Sequence, residues 1–147
     1  MNEMVETALV RRFETPDLSR HGKWILPRLM KLFNLTERAA AGFIGGLSYN
    51  NEYMFLYQPH GAALAQVVRM HTLQPKPIVI ERFVWVENPD DKNQVQAAAA
   101  FYDEFHRWAK TMDADTIIVE EMTDVPHDLI KQKLGRIFTR QQQFAKV

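Results

Sequence analysis

The chain contains no cysteine among its 147 residues and only six glycines. Without cysteine, thiol catalysis, thiolate metal sites and disulfide bonds are all excluded. The absence also fits a reducing compartment, so we expect an intracellular, cytoplasmic protein. A chain of this length can bury a core without covalent staples, and its stability is therefore expected to come from apolar packing.

Long apolar runs and a net charge are missing as well. Runs such as AAAAF and TIIV are far shorter than the roughly 20 residues of a membrane span. The first residues, MNEMVETALVRRF, mix acids and arginines, unlike a signal peptide. Basic and acidic residues number 18 each, which argues against a general attraction to nucleic acid. We therefore predict a soluble protein with neither a membrane nor a nucleic acid as partner.

The charges are nevertheless unevenly distributed. From Lys131 to the end, the chain carries five basic residues and no acid. This stretch is either a solvated basic end or a rim for an anionic ligand such as coenzyme phosphates. The five histidines show no spacing typical of a metal pair, so no metal site is predicted.

Apolar periodicity defines the expected elements. No repeat or flexible linker divides the chain, so residues 1–147 are interpreted as one domain. Alternating and helical spacings then predict strands at 7–13, 52–58, 62–73, 78–87, 116–119 and within 136–147, with a turn at 74–77. Two helices are predicted between the first two strands, a long one capped by Asp91 after the fourth, and a short one ending at Gly135.

The first two helices have defined apolar faces. Pro27 is expected in the first turn of the first helix, where proline is tolerated. Thr36 is expected to cap the second helix. The predicted inward residues are Trp24, Ile25, Leu29, Leu32 and Phe33 in the first helix, and Ala40, Phe43, Ile44 and Leu47 in the second.

This order of elements resembles the GNAT superfamily of N-acetyltransferases across nearly the whole chain. The resemblance implies an α/β (α+β) fold with a mixed, mostly antiparallel sheet of about six strands. Four helices flank the sheet, in the order β-α-α-β-β-β-α-β-α-β. It also implies that acetyl-CoA enters where the fourth and fifth strands separate. Its pantetheine would pair with the fourth strand, and its pyrophosphate would lie at the start of the following helix.

The resemblance assigns cofactor-binding positions on the fourth strand and on the helix after it. The family's phosphate motif, R/Q-x-x-G-x-G/A, falls on 93–98, and Gln96 stands where its first glycine is expected. A register shifted by one residue places Ala97 and Ala99 at the two small positions instead. The implied acetyl-CoA contacts are Val84, Trp85, Val86, Asn93, Gln94, Val95, Gln96, Ala97 and Ala98.

Glu81 and Lys131 are the candidate catalytic residues. Strand alternation predicts Glu81 on the same face as Val79, Phe83 and Trp85, where a carboxylate could act as the base for an amine. The alternative is a structural ion pair with Arg69 across the sheet. Lys131 stands where family members often have the tyrosine that protonates the leaving thiolate. Thr123 and Asp124 stand where the family has an asparagine after the buried strand.

Two functions follow from the resemblance. The first is an acyl-CoA-dependent N-acyltransferase that moves an acetyl group from acetyl-CoA to an unknown amine by direct attack. The second is a catalytically inactive GNAT-like protein that binds a protein partner, as in a tailed-phage virion or accessory protein. Tyr53 and Tyr57 either line an acceptor pocket or belong to the core.

Overall fold

The computed structural model describes residues 9–47, 50–69, 76–119, 122–135 and 144–146. Six strands form one sheet and keep their sequence order from edge to edge. The strands are β1 (Arg11–Arg12), β2 (Tyr53–Gln58), β3 (Gly61–Val68), β4 (Ile78–Val86), β5 (Thr116–Val119) and β6 (Phe144–Lys146). The α-helices are α1 (Leu18–Phe33), α2 (Glu37–Leu47), α3 (Lys92–Ala98), α4 (Ala100–Thr111) and α5 (His127–Leu134).

The sheet is mixed and mostly antiparallel. Only β4 and β5 run parallel among the described pairs, and the other neighbours are antiparallel. The predicted fold class and the parallel position of the fifth strand are therefore confirmed. The four residues of β5 lie between β4 and β6, and Ile117 and Val119 are buried while Thr116 and Ile118 are partly buried.

Each face of the sheet carries its own apolar core. On one face, α4 directs Phe101, Tyr102, Phe105 and Ala109 against the sheet, at the spacing of one helical stripe. On the other face, α1 and α2 cover a second core. Its buried members include Phe13, Ile25, Leu29, Ile44, Phe55 and Phe83. The sheet is thus the middle of three layers, and side chains on opposite faces of β4 belong to different cores.

The predicted inward face of the first two helices is partly wrong. α1 begins at Leu18, so Pro27 lies in its interior and not in its first turn. His21, Ile25 and Leu29 form the buried stripe, at intervals of four residues. In α1 this stripe leaves the predicted core residues Leu32 and Phe33 on the exposed surface, and in α2 the predicted core residue Phe43 is exposed as well. Thr36 caps α2 as predicted, because its Oγ1 accepts a hydrogen bond from the Ala39 N–H.

The predicted long helix is broken in two at Ala99, which raises the number of α-helices in the described ranges from four to five. The Gln58 side-chain amide donates to the Ala97 carbonyl at 2.7 Å. A side chain that takes a helix carbonyl interrupts the ladder. The Ala99 and Tyr102 N–H groups consequently bond carbonyls three residues earlier. Asp91 caps the first half, as predicted.

Several predictions lie partly outside the described residues. These are the start of the first strand, the end of the third strand beyond Arg69, the turn at 74–77 and the beginning of the final strand. After these gaps in the described residues, β4 starts at Ile78 and β6 at Phe144.

The imidazole of His21 is fully buried and held in one tautomer. Trp24 Nε1–H donates to Nδ1 at 3.0 Å, so Nε2 carries the hydrogen that is donated to the Gln58 carbonyl, also at 3.0 Å. The bond from Trp24 needs the neutral ring, because Nδ1 can accept a hydrogen bond only while it carries no proton. Burial lowers the pKa of His21 below its ordinary value, and the bond to Gln58 only partly offsets this.

Acidification should therefore destabilise the fold through His21. The unfolded chain binds a proton near pH 6.5 and the folded chain only at lower pH. Stability is then constant above this range and falls below it, with a limiting slope of about 1.4 kcal/mol per pH unit for one proton. Urea unfolding at pH 7.5 and 5.5 measures the effect.

The variant His21→Gln should lose most of this slope. His106→Gln is the matched control, because burial also lowers the pKa of His106 although its ring is only half-buried. A slope that survives in His21→Gln and disappears in His106→Gln would contradict the assignment.

Candidate functional site

A β-bulge in β4 decides which way the candidate residues face. Leu64 lies opposite Phe83 and Ala65 lies opposite Glu81, so Arg82 is the extra residue. An extra residue reverses the alternation of side chains beyond it. The predicted common face of Glu81, Phe83 and Trp85 is therefore wrong. Phe83 and Trp85 belong to the core under α1 and α2, whereas Glu81 lies opposite Ala65, which belongs to the core under α4.

Glu81 is fully buried, and β5 lies beside it with Val119 in register. The predicted cross-strand pair with Arg69 is wrong in register, because β3 ends at Val68 opposite Ile78 and Arg69 lies beyond that end. Glu81 thus lies inside the protein and not on an open surface. Its predicted role as a base stays a prediction.

Tyr102 of α4 is also buried and interacts electrostatically with Glu81. Desolvation raises the pKa of the Tyr102 hydroxyl well above its usual range, and the Glu81 carboxylate raises it further. The hydroxyl stays protonated and donates to Thr123 Oγ1 at 2.8 Å. Tyr102 therefore ties α4 to the chain that follows β5.

The chain after β5 continues alongside β4. We call residues 122–124 the closing segment. The Val84 N–H donates to the Met122 carbonyl at 3.1 Å, and the Asp124 N–H donates to the Val84 carbonyl at 2.8 Å. These bonds form a parallel bridge between Val84 and Thr123. The backbone edge that the resemblance assigns to pantetheine is thus hydrogen-bonded to the protein's own chain.

The Asp124 carboxylate adds a further hydrogen bond between the closing segment and β4, at Val86. Its Oδ2 accepts from the Val86 N–H at 2.9 Å and from Arg28 Nη1 at 2.8 Å. The Arg28 guanidinium also lies 5.4 Å from the Trp85 ring centre and 5.7 Å from that of Trp24, within cation–π range. Arg28 and Tyr102 therefore hold the closing segment from opposite faces of the sheet.

The first N–H groups of α3 are likewise hydrogen-bonded within the protein. The Asp91 carboxylate accepts from the Asn93 N–H at 2.9 Å and from the Gln94 N–H at 3.3 Å. The Val95 N–H donates to the Asp91 carbonyl, so it is also inside the helix ladder. The first amides that the resemblance assigns to the pyrophosphate are therefore used by the protein.

The remaining predicted residues of α3 are spread around the helix. Gln96 is exposed, Ala97 gives its carbonyl to Gln58 and Ala98 is buried in the core. The residues present do not fit acetyl-CoA in this conformation, because two carboxylates and a backbone segment take the donors that the coenzyme requires.

Lys131 lies on the exposed side of α5, while Ile130 and Leu134 pack into the core. Its neighbour Lys133 donates to Asp103 Oδ2 at 2.9 Å. The predicted electrostatic role of Lys131 stays a prediction. The other basic residues near the chain end, Arg136, Arg140 and Lys146, have no described side chains.

Known structures share this architecture. An aminoglycoside 6'-N-acetyltransferase from Acinetobacter haemolyticus aligns with a TM-score of 0.63 at 14% identity, over 90% of this chain and 92% of that one. The chain has the GNAT fold. A second aminoglycoside 6'-N-acetyltransferase, from Acinetobacter baumannii, aligns with a TM-score of 0.61 at 15% identity, over 87% and 89%.

A glucosamine-6-phosphate N-acetyltransferase from Arabidopsis thaliana extends the GNAT comparison. It aligns with a TM-score of 0.59 at 12% identity, over 76% of this chain and 80% of that one. No model of a known protein family matches the sequence, and no curated protein matches it. At these identities the likeness establishes the fold and leaves the activity to be argued from the site.

Across the described ranges, no group of three or more histidine, aspartate or glutamate residues is placed to hold a metal ion. Within the same ranges, no helix has both the length and the apolar character needed to cross a membrane.

Sequence reasoning missed the closing segment and the role of Arg28. The signal available was Thr123 and Asp124 in place of the family's asparagine. Their meaning depends on Arg28, which is 96 residues away from Asp124 in sequence. The capping role of Asp91 was predicted, but its consequence for the phosphate site was not.

Removal of the Asp124 carboxylate should destabilise the protein more than loss of an ordinary surface acid. The variant Asp124→Ala leaves the Val86 N–H and the Arg28 guanidinium without their acceptor. We expect a loss of about 1–3 kcal/mol in the free energy of unfolding. Chemical denaturation measures this loss.

Asp103→Ala is the matched control, because Asp103 makes one exposed ion pair, with Lys133. Its removal should cost less than about 1 kcal/mol. Equal losses in the two variants would show that Asp124 is only another surface charge.

Proposed function

We propose that this GNAT-fold protein does not use acetyl-CoA in the conformation described and acts as a non-catalytic, protein-binding component. The observation that carries the proposal is the closing segment, whose backbone and Asp124 carboxylate bond Val84 and Val86. A pantetheine arm would have to replace these bonds before it could pair with β4.

The energetic balance is unfavourable for the coenzyme. A neutral hydrogen bond contributes about 1 kcal/mol net, and one with a charged partner about 1.5–3 kcal/mol. Displacement of the closing segment breaks two backbone hydrogen bonds and two hydrogen bonds to the Asp124 carboxylate. It also leaves the Arg28 charge without its partner. At the other end, the Asp91 carboxylate would repel a pyrophosphate placed on the same amides.

An N-acyltransferase is the second candidate, since the fold neighbours named above are N-acetyltransferases. In that case acetyl-CoA is the acyl donor and an amine of unknown identity is the acceptor. The resemblance then assigns Glu81 to take the amine proton and Lys131 to oppose thiolate charge. Val84, Trp85, Val86 and residues 93–98 would contact the coenzyme after the closing segment had moved. A role in a phage virion stays a prediction within the first proposal.

Calorimetric titration with acetyl-CoA separates the two candidates. We expect no saturable heat from the wild-type protein up to about 1 mM acetyl-CoA, because the bonds of the closing segment oppose entry. A thiol-release assay with a panel of amines should likewise show no turnover.

If the protein is an N-acyltransferase, both binding of acetyl-CoA and turnover are expected. Micromolar binding by the wild-type protein, with turnover that Glu81→Gln abolishes, would overturn the non-catalytic proposal. Lys110→Gln is a suitable control for such turnover, because Lys110 is exposed on α4.

A further inference from the structure

An apolar groove lies between the C-terminal half of α1, α2 and the sheet. It consists of two cavities, of about 230 and 530 Å³, which both reach Met122. The smaller cavity is walled by Phe43, Tyr53 and Phe83, and the larger by Trp85 and Leu32. We call this feature the α1 groove. Tyr53, one of the predicted acceptor-pocket residues, lines it, whereas Tyr57 lies under the Arg11 guanidinium at 3.8 Å.

The rim of the α1 groove exposes unusually large apolar side chains. Phe33 is 49% exposed, Leu32 41% and Phe43 37%. In the part of the chain that the structure describes, only Leu9 is a comparable exposed apolar residue outside the groove. Single exposed apolar residues are ordinary, but a cluster around a concave apolar floor is typical of a binding surface.

The charge around this cluster has one dominant sign. α1 carries Arg20, Lys23, Arg28 and Lys31 and contains no acid. Among the described residues, Arg28, Lys31 and Arg82 line the groove, and the one acid described there, Asp124, is already paired with Arg28. A ligand with apolar anchors and negative charge complements this surface.

We propose that the α1 groove docks an acidic protein segment with bulky apolar anchors, its aliphatic or aromatic side chains lying against Phe33 and Phe43 and its carboxylates facing Lys31. This inference rests on the proposed protein-binding function and names its partner class. A protein segment fits better than nucleic acid, because aromatic and aliphatic side chains form most of the floor and the chain has no net positive charge.

The test begins with selection from a display library of random peptides of about twelve residues, a length that spans a helical docking groove. The wild-type protein should enrich peptides in which aspartate or glutamate accompanies leucine, phenylalanine or tryptophan. Titration of a selected synthetic peptide should change tryptophan fluorescence, because Trp85 lines the groove. Added salt should weaken the binding.

Two pairs of variants locate the site. Phe33→Ser and Lys31→Glu should each weaken binding by roughly tenfold or more, as expected for central anchors. Leu9→Ser and Lys110→Glu are matched controls at exposed positions outside the groove and should leave affinity unchanged. Circular dichroism verifies that all four variants are folded.

Three outcomes would overturn the proposal. They are a selection without enrichment, enrichment of basic peptides, or affinity that is indifferent to Phe33 and Lys31. A concentration-dependent dimer of the wild-type protein that Phe33→Ser abolishes would assign the groove to a second copy instead. The peptide measurements do not involve acetyl-CoA, so failure here and failure of the non-catalytic proposal are separate results.

Discussion

The pairing of residues 122–124 with the second half of β4 is the constraint on which the other features of the site depend. It keeps β4 and the chain after β5 together where a GNAT sheet is expected to open. It also brings Asp124 to the Val86 N–H and Arg28, and Thr123 to the Tyr102 hydroxyl. The closing segment is therefore fixed by both helical layers, and its displacement would disturb contacts on both faces.

The bulge at Arg82 has a second, independent effect. It directs Glu81 toward α4 and directs Phe83 and Trp85 toward α1 and α2. The carboxylate and the aromatic pair consequently serve different layers. Glu81 lies among core residues near Tyr102, while Phe83 and Trp85 line the groove on the other face. Glu81 and the aromatic pair, which were predicted on one face, are thus separated by the sheet.

Much of the fold was predictable because each strand or helix carries a clear local pattern. The consecutive apolar residues of 116–119, the Thr36 cap and Gly135 after the last helix were all interpreted correctly. The bulge was not predictable, because apolar residues follow one another from Phe83 to Val86 and show no break in alternation. The start of α1 and part of its inward face were also mispredicted, because Pro27 was expected in the first turn of the helix and lies in its interior.

The candidate site was less predictable than the fold. Motif positions indicated where a coenzyme would lie, but they could not show which groups already occupied the same donors. Asp91 and Asp124 act through hydrogen bonds to backbone amides, and such bonds depend on geometry that no residue spacing encodes. The closure arises from contacts between distant segments, Arg28 with Asp124 and Tyr102 with Thr123.

Amide hydrogen exchange at Val84 and Val86 tests the central claim most directly, because both N–H groups are donors to the closing segment. Exchange is slow at an amide whose hydrogen bond opens only when the surrounding structure opens. The closed site predicts slow exchange at both residues in the free protein and no change when acetyl-CoA is added. Rapid exchange in the free protein, followed by protection on addition of acetyl-CoA, would contradict it.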